Sequence, residues 1–251
     1  MQIEQDRFFN IAEIFDRVAQ KVVPQYDFLQ DEVIRFLNYP KEKYLNIIDL
    51  GAGSGILLEK FLLEYPNSNC YWVDYSPDFL RIAKQRLARF GERVKYILCE
   101  IEEDWGKTLE IEPDLIISMS TIHHLEDLEK KALYAKCLKI LKRGGWFVNI
   151  DEMKTLNLQA YKNSLLIKER YALEAHKLID PDTLPYYNDY LEHLKKWKVR
   201  NIVNFNLPKQ KGDDLHASFI EQLKWLDEIG FQNTDIIIKY HLMHVITGQK
   251  E

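Results

Sequence analysis

Residues 49–55 read Asp-Leu-Gly-Ala-Gly-Ser-Gly and close the apolar run LNIIDL at 45–50. Only ten glycines occur in 251 residues, fewer than the usual ~7%, and Gly51, Gly53 and Gly55 fall within this one stretch. A strand-to-helix turn approached by a ligand needs positive φ and missing side chains, which glycine supplies. The helix that follows offers unpaired amides suited to an anion. A tight structural turn is the plainer alternative. A dinucleotide loop, G-x-G-x-x-G, would place its third glycine at position 56, where Ile56 stands. Asp49, two residues ahead of Gly51, would oppose a pyrophosphate and suits a ligand with positive charge.

Outward from this turn, apolar runs alternate with amphipathic helical stretches. Strands are predicted at 45–50, 70–75, 94–99, 114–119 and 146–151, with helices starting near Ser54, Ser76 and Leu125. Ser76–Pro77 makes a good helix start, and Lys142, Arg143 and Gly144 a good stop. Continuous apolar strands separated by helices predict a parallel sheet covered on both faces. Ahead of the sheet, Ile11, Ile14, Phe15, Val18 and Val22 keep helical spacing up to Pro24, and a second helix is predicted from Tyr26 to Leu37. Near the C-terminus a helix ends at Gly230, and the runs 234–240 and 242–248 must form an antiparallel hairpin, with a reversed strand at one edge. The fold class is therefore α/β: a doubly wound, mostly parallel seven-stranded sheet with an antiparallel C-terminal hairpin. One domain is expected over 1–251. It divides into an N-terminal helical lid (1–40), a core (45–151), a helical lid insertion (152–213), and a closing helix and hairpin (214–251).

Thirty-four Lys+Arg against 39 Asp+Glu leave a formal charge of −5, without the basic excess of a phosphate-binding surface, so nucleic acid is disfavoured as partner. Cys70, Cys99 and Cys137 form no CxxC pair and suit a reducing cytoplasm. The opening MQIEQDRFFN lacks an apolar signal core, and no run is long enough to span a membrane. Oligomeric state leaves no mark in the sequence.

A ligand bearing an ammonium and a sulfonium beside its carboxylate fits Asp49 and the G-x-G-x-G spacing; S-adenosylmethionine is such a molecule. On Asp49 and Gly51–Gly55 the chain resembles the class I S-adenosylmethionine-dependent methyltransferases, small-molecule branch, well over 45–151 and more loosely over the hairpin. The resemblance implies that Asp49 and the amides of Gly51, Ala52 and Gly53 hold the methionine end. It puts Asp74 on the ribose hydroxyls, Tyr75 beside the adenine, Glu100 on the adenine amino group and Ile101 against the ring. Ser118 and Met119 would border the transferable methyl, and Tyr26, in a stretch also similar to carboxy-S-adenosylmethionine synthase, would close over the cofactor. Asp74 and Glu100 are alternatively plain solvated strand-end acids.

The segment after the fourth strand, SMSTIHHLED, lacks the Asn/Asp-Pro-Pro-aromatic of amino-directed DNA methyltransferases. Its His123 is the one catalytic candidate, as base or substrate-orienting group; packing against the next helix is the alternative. His241 and His244, three apart on a strand, face opposite ways, and no other cluster has ligand spacing, so no metal is expected, though Asp151 and Glu152 at a strand's carboxyl end could contribute. The insertion's Tyr161, Tyr171, Tyr186, Tyr187, Tyr190 and Trp197 either line an acceptor pocket or pack. The expected activity is methyl transfer to an O, N or C nucleophile of a small metabolite. Three alternatives stand beside it. One is other chemistry on the same cofactor, such as carboxy-S-adenosylmethionine synthesis with Arg170 or Arg200 as the added cation; another is a non-catalytic cofactor-binding module; the third, disfavoured by the acidic balance, is an RNA methyltransferase.

Overall fold

The computed structural model describes residues 11–210 and 212–251, together with the helical backbone of residues 2–10. The polar opening stretch 1–10, read above for the lack of a signal, lies outside the described side chains. Helices α1 (Gln2–Val22) and α2 (Tyr26–Leu37) precede the sheet. The repeating units are β1 (Asn46–Leu50), α3 (Ile56–Glu64), β2 (Asn69–Asp74), α4 (Pro77–Leu87), β3 (Val94–Leu98), β4 (Leu115–Met119), α5 (Asp127–Ile140) and β5 (Trp146–Glu152). Next come α6 (Leu158–Glu174), α7 (Leu184–Lys198), α8 (Phe219–Ile229), β6 (Gln232–Tyr240) and β7 (Met243–Gln249). Among the described residues no helix is long and apolar enough to cross a membrane.

The seven strands lie in the order β3-β2-β1-β4-β5-β7-β6. The first five pair in parallel, and β7 runs antiparallel to both β5 and β6. The reversed strand is therefore not at the edge, as the chain order suggested. The connection from β5 through α8 carries β6 past a gap one strand wide, and β7 returns to fill it, leaving β6 outermost. His241 is likewise not on a strand; it sits in the hairpin turn with φ 53°.

Period-two alternation divides the sheet between two apolar cores. Ile47, Trp72 and Ile117 point to α2, α3 and α4, where Leu29, Leu58, Phe61 and Ala83 are buried. Ile48, Leu50, Val73 and Ile116 point the other way, to Leu133, Tyr134, Cys137 and Leu226 on α5 and α8. Two residues on from Ile47 and Trp72, Asp49 and Asp74 share the α2–α4 face. Ser76 caps α4, accepting from the amide of Phe79, with Pro77 at the first helical position. Strand order reverses between β1 and β4, so the turn after β1 opens at a topological switch point, where sheets of this kind bind ligands.

Candidate active site

The turn after β1 takes positive φ at Gly51 (70°), Gly53 (52°) and Gly55 (79°), but the three glycines serve different ends. A Cβ on Gly51 would fall on the Thr121 side chain, and one on Gly55 would press on Leu87. Only at Gly53 does a Cβ meet nothing nearer than the Phe79 ring at 3.8 Å. The turn's amides are also taken. Those of Gly51 and Ala52 donate to the Val73 carbonyl at 2.8 and 3.1 Å, and that of Gly53 donates to Asp74 Oδ2 at 2.9 Å. In this structure β2 takes all three amides that the sequence reading assigned to the cofactor's methionine end.

Asp49 is 1% exposed, and its Oδ1 has no hydrogen-bond partner. Burial, reinforced by the Asp74 charge, pushes its carboxyl up to about 8. Asp74 is also raised by burial, against the pull of the Ser76 and Gly53 amides. Tyr26, at the start of α2, has its phenol raised by burial, with Gln30 hydrogen-bonded to it and the Asp49 charge adding to the shift. Gln30, fully buried, donates from Nε2 to Met119 Sδ at 3.2 Å while its Oε1 lacks a partner. Tyr26, Gln30, Asp49 and Met119 thus gather where α2 crosses the carboxyl ends of β1 and β4. Gln30 escaped the sequence reading because a glutamine on an amphipathic helix gives no signal of its burial.

Tyr75 is exposed, its phenol raised by partial burial and then by the charges of Asp74 and Glu100. Glu100 is exposed just past β3, whereas Ile101 packs in the α5 core beside Trp105, whose indole donates to the Ile101 carbonyl at 3.0 Å. Ser118 does not join this group. It shares the face of Ile116, opposite Asp49 and Met119, and donates its hydroxyl to the Leu50 carbonyl at 2.7 Å.

Beyond β4 the chain turns through Ser120 (φ 55°), and Thr121 donates to the Gly51 carbonyl at 3.2 Å, linking the first turn to His123. His123 is buried on Asp151 at the end of β5. Its Nδ1 lies 2.5 Å from Asp151 Oδ1, and its amide donates to Oδ2 at 2.8 Å. Burial alone pulls this imidazole down, but Asp151, with Asp214 and Glu152 behind it, carries it up to about 9. Around it lie residues from distant segments. Glu152 pairs with Lys168 of α6. His216 Nδ1 lies 2.7 Å from the Tyr161 hydroxyl, and Asp214 Oδ2 accepts from Trp197 Nε1 at 2.6 Å and Asn201 Nδ2 at 3.2 Å. Burial pushes the Glu152 and Asp214 carboxyls up, but Lys168, His123 and His216 outweigh it, bringing Glu152 to about 2 and Asp214 well below the carboxylate range. Tyr161, Asn201, Asp214 and His216 line a cavity of about 710 Å³, with Lys154 and Lys209 at its wall.

The cluster brings together residues with metal-ligating chemistry, Glu152 among them, that no spacing in the sequence foretells. His123, His124 and Asp214 form one potential ligand group, and Glu152, Asp214 and His216 another. Spacing rules detect ligands close in sequence, whereas these come from three segments.

The family described as "Methyltransferase domain" matches residues 48–147, the span from Asp49 to β5. An uncharacterized methyltransferase of Anoxybacillus flavithermus is 30% identical over 159 residues, covering 62% of this chain and 70% of the relative. The chain belongs to the class I S-adenosylmethionine-dependent methyltransferases. Within this family, malonyl-[acyl-carrier protein] O-methyltransferase 2 of Ilyobacter polytropus is 31% identical over 157 residues, 62% of this chain and 53% of that protein. Carboxy-S-adenosyl-L-methionine synthase of Nautilia profundicola is 25% identical over 235 residues, 92% of this chain and 88% of that one. The methyltransferase therefore spans about half the length of the first two curated relatives it matches, 53% and 46%.

Proposed function

We propose that the protein transfers a methyl group from S-adenosylmethionine to an O, N or C nucleophile of a small metabolite seated in the cavity beside His216. The observation that carries this reading is the buried, unpartnered Oδ1 of Asp49 at the carboxyl end of β1, just ahead of the turn in which Gly53 leaves room for a Cβ. A carboxylate so stripped of solvent calls for a cationic donor, which the cofactor's ammonium provides. Asp74 has a lone pair to spare on each oxygen after accepting from Gly53 and Ser76, which suits two ribose hydroxyls. Tyr75 and Glu100 stand next to it for the adenine, and Tyr26 with Gln30 covers the methionine end from α2.

When bound, S-adenosylmethionine supplies a methyl on a positively charged sulfur that is already an excellent leaving group. The chain's task is therefore to align the acceptor and exclude water. His123, clamped by Asp151 and protonated at neutral pH, acts as a fixed positive charge that orients the acceptor rather than as a general base. Tyr161 of α6 lines the acceptor's space, whereas Tyr187, Tyr190 and Trp197 of α7 pack in a buried core behind it. The acidic net charge argues against a nucleic-acid acceptor, and three free cysteines fit a reducing cytoplasm.

Acceptor-free calorimetric titration with S-adenosylmethionine tests the first half: saturable binding is expected, weakened in Asp49→Ala and Asp74→Ala. Absence of binding, or equal affinity in both variants, overturns it. A metabolite-pool screen with labelled methyl donor tests the second half; no labelled product leaves a binding module instead. Likeness to the Nautilia synthase over most of the chain supports carboxyl transfer onto the cofactor as a second reading. Of the two cations such chemistry could use, Arg200 is paired with Asp213 at 3.2 Å, which leaves Arg170. Mass spectrometry of ligand retained through purification separates the two.

A further inference from the structure

We infer that Glu152, Asp214 and His216 form a binding site for a divalent transition-metal ion on the wall of the acceptor cavity. Glu152 Oε2 and His216 Nε2 face each other 3.3 Å apart, out of line for a well-formed hydrogen bond and with no other partner, and both are buried. Two buried polar atoms held this close without a proton properly placed between them leave a position for a cation. The separation suits one. Ligands each about 2.1 Å from a tetrahedral ion lie roughly 3.4 Å apart. The Asp214 carboxylate completes the set, with one ligand atom from each of the three residues within 4.8 Å of the others.

The surroundings are those of a ligand set. His216 Nδ1 is tied to the Tyr161 hydroxyl at 2.7 Å, the kind of outer bond that fixes the ring and leaves Nε2 to ligate. Asp214 Oδ2 is anchored by Trp197 and Asn201, which aims the carboxylate. Charge agrees: the buried carboxylates of Asp151 and Glu152 and the partly buried one of Asp214 outnumber the two cationic groups beside them, Lys168 and His123. One imidazole and two carboxylates suit zinc, manganese, iron or cobalt rather than calcium. Asp214 and His216 line the cavity, so an ion there has both an entry path and a face toward the acceptor. The use of that face in methyl transfer rests on the function proposed above; the binding of the ion does not.

The test is titration of the chelator-treated full chain with Co(II) alone, read as visible d–d absorption, beside elemental analysis of the protein as purified. One equivalent is expected to bind with a tetrahedral-type spectrum, with affinity down at least ~100-fold in His216→Ala and Glu152→Gln and ~10–100-fold in Tyr161→Phe. Circular dichroism and S-adenosylmethionine titration report whether each variant folds, and the wild-type spectrum stands without them. No saturable cobalt band on the wild type overturns the assignment. So does binding that survives His216→Ala but is lost in His124→Ala, which moves the ion to the other side of Asp214. Cobalt binding without cofactor binding refutes only the function proposed above.

Discussion

Replacing Asp49 with asparagine should make the free protein more stable while weakening its affinity for the cofactor. The carboxyl of Asp49 is pushed up to about 8 by burial, against about 3.9 in an unfolded chain. The unfolded state therefore releases its proton near pH 4, whereas the folded state keeps it until pH 8. Stability is full below the unfolded value and falls as pH rises towards the folded one. The roughly three pH units between 3.9 and 7, at ~1.4 kcal/mol each, come to about 4 kcal/mol at pH 7. Asparagine, isosteric and never charged, avoids that loss, and a gain of roughly 10 °C in Tm is expected for a chain of this size. Binding moves the other way. An ion pair of ~4 Å at an effective dielectric of ~20 contributes about 4 kcal/mol, less ~1.4 for ionising Asp49 at pH 7, or ~100-fold in affinity. Binding at pH 6.5 should accordingly expel close to one proton and at pH 9.5 almost none, read as a buffer-dependent calorimetric enthalpy that vanishes in Asp49→Asn. A variant no more stable than wild type at pH 7, or a heat of binding identical in buffers of different ionisation enthalpy, refutes the reasoning.

Further expectations concern single sites. Gly53→Ala has room for its Cβ but must hold φ at 52°, so urea unfolding should show a loss of only ~1 kcal/mol, while calorimetry should show cofactor affinity falling by at least tenfold. Lys130 is buried and donates to the carbonyls of Leu125 and Leu215, tying α5 to the segment before α8; Lys130→Met should lose about 2–3 kcal/mol in urea unfolding. His244 is fully buried and held down to about 4, chiefly by burial. Unfolded chains take up that proton near pH 6.5, so stability should fall by up to ~3 kcal/mol between pH 6.5 and 4. His244→Gln should flatten that part of the pH–Tm curve.

The core of this architecture was legible because its signals are local. Alternating runs gave the parallel strands, and Ile56 in place of a third glycine separated the turn after β1 from a dinucleotide loop. Period two put Asp49 and Asp74 on one face, and the same rule, applied to β4, turns Ser118 away from them. What could not be read depends on how distant segments meet. Thr121 fills the space under Gly51, so a glycine that seemed cleared for a ligand is cleared for another part of the chain. Asp214 and His216 lie in a polar stretch that looks like any solvated loop, and only the fold carries them to Glu152 and within reach of His123. The placement of β7 between β5 and β6 follows from the width of a crossover, which chain order does not encode.

Helix α1 grips its neighbours by two kinds of force. Ile14, Val18 and Val22 sink into a third apolar core with Tyr187, Tyr190, Leu194 and Trp197 of α7. Toward α4 the hold is ionic, Glu13 on Arg81 and Asp16 on Arg86, and the same Arg86 guanidinium also binds the Ser54 carbonyl at 3.0 Å. Added electrolyte weakens only the second grip, whereas cooling weakens only the first. Segments more than 160 residues apart in sequence are thus joined by a greasy contact, and α1 is tied to α4 by a charged latch. The latch is fastened to the turn where the cofactor is proposed to sit, and the greasy contact contains the tryptophan that steadies Asp214.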